Sequence, residues 1–238
     1  MLTKTHETEI RNYLLSKKLP IDLLIEVQDH FISQITELLS AENLCFNEAF
    51  NKTKHVWTDE FCVETPWYIV ANRKAAAITK FEISMRRDLQ METLKKSFLF
   101  SIIAFVLLFL AASIFRTNIL LFNKYFLLVA YAFTFSIIFY NLFFNSIAYK
   151  KKFHQYKFSV NHWRTYLVFP IAYFGVDYLK PFSAWLPQLI QFQFTEQILF
   201  KATVFFCIIL FLIYTGINQF YFAKTMKKVK PFIKTHLQ

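Results

Sequence analysis

The sequence of 238 residues contains only two glycines, Gly175 and Gly216. At the usual glycine frequency of about 7%, roughly 17 would be present. Phosphate-binding loops of the P-loop, dinucleotide-binding and kinase types each need several closely spaced glycines. The glycine content therefore excludes these nucleotide-binding classes, and it favours long uninterrupted helices.

Acidic residues are nearly absent from the second half of the chain. Residues 98–238 hold 14 Lys and Arg but only two acidic residues, Asp177 and Glu196, together with 26 of the 31 Phe. Residues 66–97 hold 7 basic and 3 acidic residues, and residues 1–65 hold 6 basic and 11 acidic ones. The net charge of +11 is thus divided into −5, +4 and +12 along the chain. This division is not that of a nucleic-acid-binding protein, and it predicts a membrane-embedded second half.

Four apolar segments are candidates for membrane spans, because a helix needs about 20 mostly apolar residues to cross the hydrocarbon core. They cover about residues 97–115, 125–147, 165–182 and 199–222. The third is the weakest, since it contains Pro170 and Asp177. The sequence predicts an all-α polytopic membrane protein with a four-helix transmembrane bundle in residues 98–223, and with a basic tail in residues 224–238.

The positions of Lys and Arg predict the orientation of the spans. Five basic residues lie between the second and third spans, five lie in the tail, and four precede the first span. The opposite side has only Arg116, Lys124, Lys180 and Lys201. We therefore expect both termini in the cytoplasm and the protein in a bacterial inner membrane, in contact with the lipid bilayer.

No catalytic machinery is visible in the sequence. It has no metalloprotease HExxH, no GxSxG nucleophile elbow and no pair of carboxylates within a span. The three cysteines, Cys45, Cys62 and Cys207, form no CxxC pair and are expected to be free thiols. We expect no enzymatic activity, no cofactor and no metal site.

The first 65 residues have the pattern of a cytosolic module of three short helices. Leu24, Val27, Phe31, Ile35 and Leu38 recur at helical spacing and predict an amphipathic helix over about residues 21–40. A shorter helix is expected over residues 10–16. A third is expected from the apolar stripe Ala49, Phe50, Val56, Trp57 and Phe61.

Three motifs in this module occur in the order Leu19-Pro20, Glu26-Val27-Gln28-Asp29-His30-Phe31 and Glu48-Ala49-Phe50. Over about residues 7–62 the chain resembles the small helical domain of the HAAS and permease-prefix type, which precedes the spans of bacterial membrane proteins. The resemblance implies a regulatory or assembly domain without catalytic residues. Ala41-Glu42-Asn43 stands where that pattern has Gly, although Asn also adopts the left-handed conformation that ends helices.

Residues 66–97 connect the module to the first span and predict a long basic juxtamembrane helix. No Gly or Pro interrupts the chain from Trp67 to Phe115, so one helix is expected to run from about residue 67 into the span. Its basic side chains and those of the loop after the second span are candidate contacts for lipid headgroups. These candidates are Arg86, Arg87, Lys150, Lys151 and Lys152.

Polar residues within the spans form a candidate intramembrane site, made of Asp177, Asn141, Asn145 and Asn218. Asp177 is either an interfacial partner of Lys180 or an ion or proton site. Thr134, Asn141 and Asn145 share one helix face by their spacing and either join helices or line a polar pathway. Asn218 and Gln219 lie at the corresponding end of the last span.

The sequence favours a non-enzymatic bacterial integral membrane protein with a regulatory or protein-interaction module. A protein partner or a homo-oligomer is expected, because three short helices bury little core. The alternative is a subunit of an oligomeric transporter or channel.

Overall fold

A computed structural model describes residues 2–64, 78–114, 119–147, 188–189, 191 and 195–236 of the chain. The protein is mostly helical, which confirms the predicted class. The described residues form two compact units. The first contains residues 2–64, 78–89 and 225–236, and the second contains the described residues from 90 to 224.

Helices α1 (Lys4–Ser16), α2 (Ile21–Ala41) and α3 (Phe46–Val56) form most of the first unit. α1 begins six residues earlier than its apolar pattern indicates, because Thr3 and His6 form a capping box. The Thr3 hydroxyl accepts from the His6 amide at 3.3 Å, and the His6 ring accepts from the Thr3 amide at 3.4 Å. Between α2 and α3, Asn43 has φ 50°, so Asn supplies the left-handed turn in place of Gly.

The core of the first unit lies where the three helices meet. The α2 residues Leu24, Val27, Phe31 and Ile35 are at most 1% exposed, as their spacing predicted. Each such buried side chain stabilises the fold by about 1.5–3 kcal/mol. Val56 was expected in the same core but is 68% exposed, because α3 ends at this residue and the chain then turns.

A short antiparallel ribbon joins the module to the next helix. Strand β1 (Val63–Glu64) pairs with β2 (Ile78–Thr79), and both β2 residues are buried. Residues 78 and 79 therefore do not continue the helix expected from about residue 67. Ile and Thr are β-branched and favour the extended conformation, and the Thr79 hydroxyl accepts from the Glu82 amide at 3.2 Å as a helix N-cap does.

Three further helices carry the apolar segments. They are α4 (Lys80–Ile114), α5 (Ile119–Tyr140), which continues into a π-helix (Asn141–Ile147), and α6 (Glu196–His236). Stretches within them, Lys80–Ala111, Leu128–Asn145 and Glu196–Phe232, are long and apolar enough to cross a membrane. The expected third span, at about 165–182, lies outside the described residues.

Large apolar side chains cover the outer faces of these helices. Leu107 of α4, Phe133 of α5 and Phe200 of α6 are 60%, 67% and 70% exposed. Extended apolar surfaces of this kind mark contact with lipid or protein. The second unit also has its own core, formed by Leu108, Tyr131, Leu189, Ile198, Phe205, Ile209 and Leu212.

Candidate functional site

A buried amide cluster joins the end of α5 to α6 in the second unit. The Asn141 side chain is fully buried, and its Nδ2 donates to both the backbone oxygen and the side-chain Oε1 of Gln219, each at 2.8 Å. Asn145, 2% exposed, donates from Nδ2 to Asn141 Oδ1 at 2.7 Å. Three hydrogen bonds therefore link three amide residues that are each at most 2% exposed.

Thr134, Asn141 and Asn145 are all buried, and Asn145 is hydrogen-bonded to Asn141. The α-helix changes to a π-helix at Asn141. π-helical turns are rare and occur often at functional sites. The unusual backbone and the amide pair thus occupy the same segment.

Asn218 and Gln219 have different roles although they are adjacent. Asn218 is 3% exposed and donates from Nδ2 to the Tyr214 backbone oxygen of its own helix at 2.8 Å. Gln219 contacts Asn141 directly, and it is not among the four residues that the sequence singled out. Successive residues lie about 100° apart around a helix, so adjacent positions face different neighbours, and the sequence alone does not decide which of them meets α5.

A ladder of hydroxyl groups on α4 lies at the same level. Thr93, Ser97 and Ser101 are fully buried, and the Ser97 and Ser101 hydroxyls each donate to the backbone oxygen four residues earlier, at 2.6 Å. Contacts between α4 and α6 show that the two helices run antiparallel, because Lys96 Nζ lies 2.7 Å from the Tyr221 hydroxyl, and the Phe105 and Phe206 rings are 5.9 Å apart. In this register Ser97 lies level with the amides. Thr93, Ser97 and Ser101 are four residues apart in the sequence. They were not predicted as part of the site, because single hydroxyl groups do not interrupt an apolar segment.

The chemistry of the cluster is that of neutral hydrogen bonding. Amides and hydroxyls donate and accept without changing charge. In a membrane such bonds hold helices together by about 0.6 kcal/mol each on average, with a maximum of about 1.7. The cluster therefore suits helix association, or the binding of a neutral polar group, better than proton transfer.

The basic candidates for lipid contact are placed differently. Arg86 forms an ion pair with Glu82, whose side chain is 1% exposed, whereas Arg87 is 75% exposed. Arg87 is thus the better placed of the two for contact with a headgroup. Lys150, Lys151, Lys152 and Asp177 lie outside the described residues.

An aromatic junction connects the module core to both neighbouring helices of the first unit. The Trp57 ring lies 5.4 Å from the ring of Phe81, the second residue of α4, and Trp57 Nε1 donates to Gln34 Oε1 of α2 at 2.9 Å. Phe81 and Phe232 of α6 both pack against the module core. The two helices therefore contact the same core from opposite ends of the sequence.

Backbone bonds and an ion pair also attach α4 to the module. The amides of Lys80 and Phe81 donate to the backbone oxygens of Cys62 and Glu60, each at 2.9 Å. Lys80 Nζ lies 2.6 Å from Asp59 Oδ2 and forms an ion pair with it. The start of α4 is thus held by the main chain as well as by side chains.

No protein-family model, no curated protein and no solved structure matches this chain.

Proposed function

We propose that this chain is a non-enzymatic, four-span protein of a bacterial inner membrane, whose N-terminal module binds a protein partner in the cytoplasm and passes that event to the membrane helices. The observation that carries the proposal is the packing of Phe232, near the end of α6, against the module core. The resemblance of residues 7–62 to HAAS and permease-prefix modules agrees with a regulatory role.

The shared unit supports an even number of spans. Residues 225–236 belong to the same compact unit as the module, which supports a chain that returns to the side on which it started. Three described helices are long enough to span, and an even count needs one more crossing. The apolar segment at about residues 165–182 is the candidate for it, and the distribution of Lys and Arg favours the cytoplasm for both termini.

The contacts of the module support a regulatory role. Its core touches α4 through Phe81 and α6 through Phe232. A partner that shifts the module by even a small amount displaces the ends of two membrane helices, because packed interfaces move as units and do not deform continuously. Chemical catalysis is not needed for such a function.

Two measurements test the proposal. A C-terminal alkaline phosphatase fusion is expected to be inactive, since that reporter works only in the periplasm, and an active fusion contradicts the topology.

Full-length tagged protein purified from its own membranes in mild detergent is expected to retain a stoichiometric partner that is lost when residues 2–62 are deleted. Retention of the same partner by the deleted chain excludes the module as its binding site.

The second candidate function is a subunit of an oligomeric transporter or channel. The buried amide cluster beside the π-helix favours it, because polar groups among apolar helices are expensive and often mark a pathway. In a background with Cys45, Cys62 and Cys207 replaced by Ser, Asn145→Cys distinguishes the two functions. Rapid labelling by a water-soluble thiol reagent supports a pathway, and protection supports helix packing.

A further inference from the structure

A groove opens on the outer surface of the module between the C-terminal half of α2 and α3. Its volume is about 280 Å³. Drug-sized ligands usually occupy cavities of about 300–1,000 Å³, so this groove suits one or two side chains better than a whole small molecule. It is lined by Gln34, Glu37, Leu38, Ala41, Glu42, Lys52, Thr53 and Val56.

Three of the eight residues that line the groove are apolar, and each keeps part of its surface open to solvent. Leu38 and Ala41 come from α2, and Val56 from the end of α3. Val56 keeps 68% of its surface exposed. On the rim, Lys52 Nζ lies 2.7 Å from both carboxylate oxygens of Glu42, so those two charges are matched.

An acidic stripe leads along α2 to this groove. Glu26, Asp29 and Glu37 are exposed and lie on one face of the helix at spacings of three and eight residues. α2 contains no Lys or Arg, and none of the ion pairs among the described residues involves these three carboxylates. The stripe is about 16 Å long, at 1.5 Å per residue.

We propose that the groove and the stripe together are the docking surface for a basic helical segment of a partner protein, which inserts one large apolar side chain between Leu38 and Val56. The inference rests on the proposed function and names the partner's chemistry. Charge complementarity carries it, because residues 1–65 have a net charge of −5 and α2 has only carboxylates as charged groups. Opposed charges align a helix and speed its association, while the apolar contact holds it.

The position of the groove connects docking to the membrane helices. Gln34 lines the groove and accepts the hydrogen bond from Trp57, whose ring contacts Phe81 at the start of α4. A side chain that enters the groove therefore touches a residue bonded to the aromatic junction. Only two contacts separate the bound partner from α4.

The test uses the full chain in nanodiscs of zwitterionic lipid, which do not attract a basic peptide by charge. The probe is a fluorescent helical peptide of Ala and Lys with a single Phe, and its Kd is read by anisotropy. Glu37→Lys is expected to raise Kd about tenfold. Glu9→Lys changes the net charge by the same amount on an exposed position of α1 and is expected to change Kd less than twofold.

The groove is tested separately from the charges. Replacing the peptide's Phe by Ser is expected to weaken binding to the wild-type protein several-fold. In the Ala41→Trp variant the new side chain fills the groove, so the same change in the peptide is expected to leave binding unchanged. Unchanged melting temperatures show that these surface variants remain folded. Equal effects of Glu37→Lys and Glu9→Lys indicate general attraction by charge and overturn the proposal.

Two further results overturn it in favour of another occupant. In the first, a peptide with the sequence of residues 65–77 displaces the probe at concentrations below those of the probe. This result identifies the chain's own basic segment as the occupant of the docking surface. The other is a concentration-dependent dimer that Ala41→Trp abolishes, which identifies a second copy. If the natural partner is retained equally by wild type and Glu37→Lys, the docking surface lies elsewhere while the proposed function stands.

Discussion

Replacing Asn141 by Leu tests whether the amide cluster holds α5 and α6 together. The substitution removes the two hydrogen bonds that Asn141 donates to Gln219 and the one that it accepts from Asn145. At about 0.6 kcal/mol for each bond in a membrane, the loss is ~2 kcal/mol. The apolar gain of Leu offsets part of it, so the single variant alone is not decisive.

A double-mutant cycle removes this ambiguity. The free energy of unfolding is measured by SDS titration in mixed micelles for the wild type, Asn141→Leu, Gln219→Leu and the double variant. The free energy gained by each apolar Leu cancels in the cycle. The coupling free energy between the two side chains is expected to be about 0.6 kcal/mol and at most about 1.7 kcal/mol. The control is Ser136→Ala on the exposed face of α5, which is expected to change stability by less than about 0.5 kcal/mol. A coupling within about 0.3 kcal/mol of zero refutes the idea that the cluster joins the helices.

Three further predictions concern the module. Phe232→Ala is expected to speed hydrogen exchange in residues 225–236 while α1 to α3 remain protected, because the ring packs on the module core. Trp57→Phe removes the bond to Gln34 and is expected to lower the free energy of unfolding by about 1 kcal/mol. The Cys45 amide lowers the pKa of Glu48, so Glu48→Gln is expected to lower the melting temperature at pH 7, with the difference closing as the pH falls below 4.5.

Each of these three predictions has a control variant or an outcome that contradicts it. Phe220→Ala removes a ring that is 65% exposed and is expected to leave exchange in residues 225–236 unchanged. If Gln34→Leu costs as much in a Trp57→Phe background as in the wild type, the hydrogen bond contributes nothing. A carboxyl whose pKa is lowered in the folded state stabilises the fold at pH values above its ordinary pKa, and this stabilisation is lost as the carboxyl is protonated. A melting-temperature difference for Glu48→Gln that persists at pH 3 therefore contradicts the capping role.

Periodicity predicted the helices better than their ends. The apolar stripe from Leu24 to Ile35 depends only on spacing, and the structure confirms it. The start of α4 depends on the pairing of Ile78 and Thr79 with β1, which lies earlier in the chain. The residues next to α4 do not by themselves predict that pairing. The cap at Thr3 was visible in the sequence only as a polar residue before a weak pattern.

The amide cluster was half predictable. Asn141 and Asn145 stood out because amides are rare in apolar segments, and their shared face followed from a spacing of four. Gln219 was named with Asn218 at the corresponding end of the last span, but its contact with Asn141 did not follow from the sequence, because the relative rotation of two helices is set by packing along their whole length. The contact of Phe232 with the module joins residues at opposite ends of the chain, which a reading of local patterns does not reveal.

The contact of Phe232 also sets an order of events during synthesis. About 150 residues separate Phe81 from Phe232, and at about 5–20 residues per second the ribosome needs roughly 8–30 s to pass from one to the other. Throughout that interval the module core lacks the Phe232 ring, while the apolar helices α4 to α6 are still being made. A newly made module therefore offers an apolar patch to chaperones or partners before its own chain covers it, and assembly during translation has a limited time in which to occur.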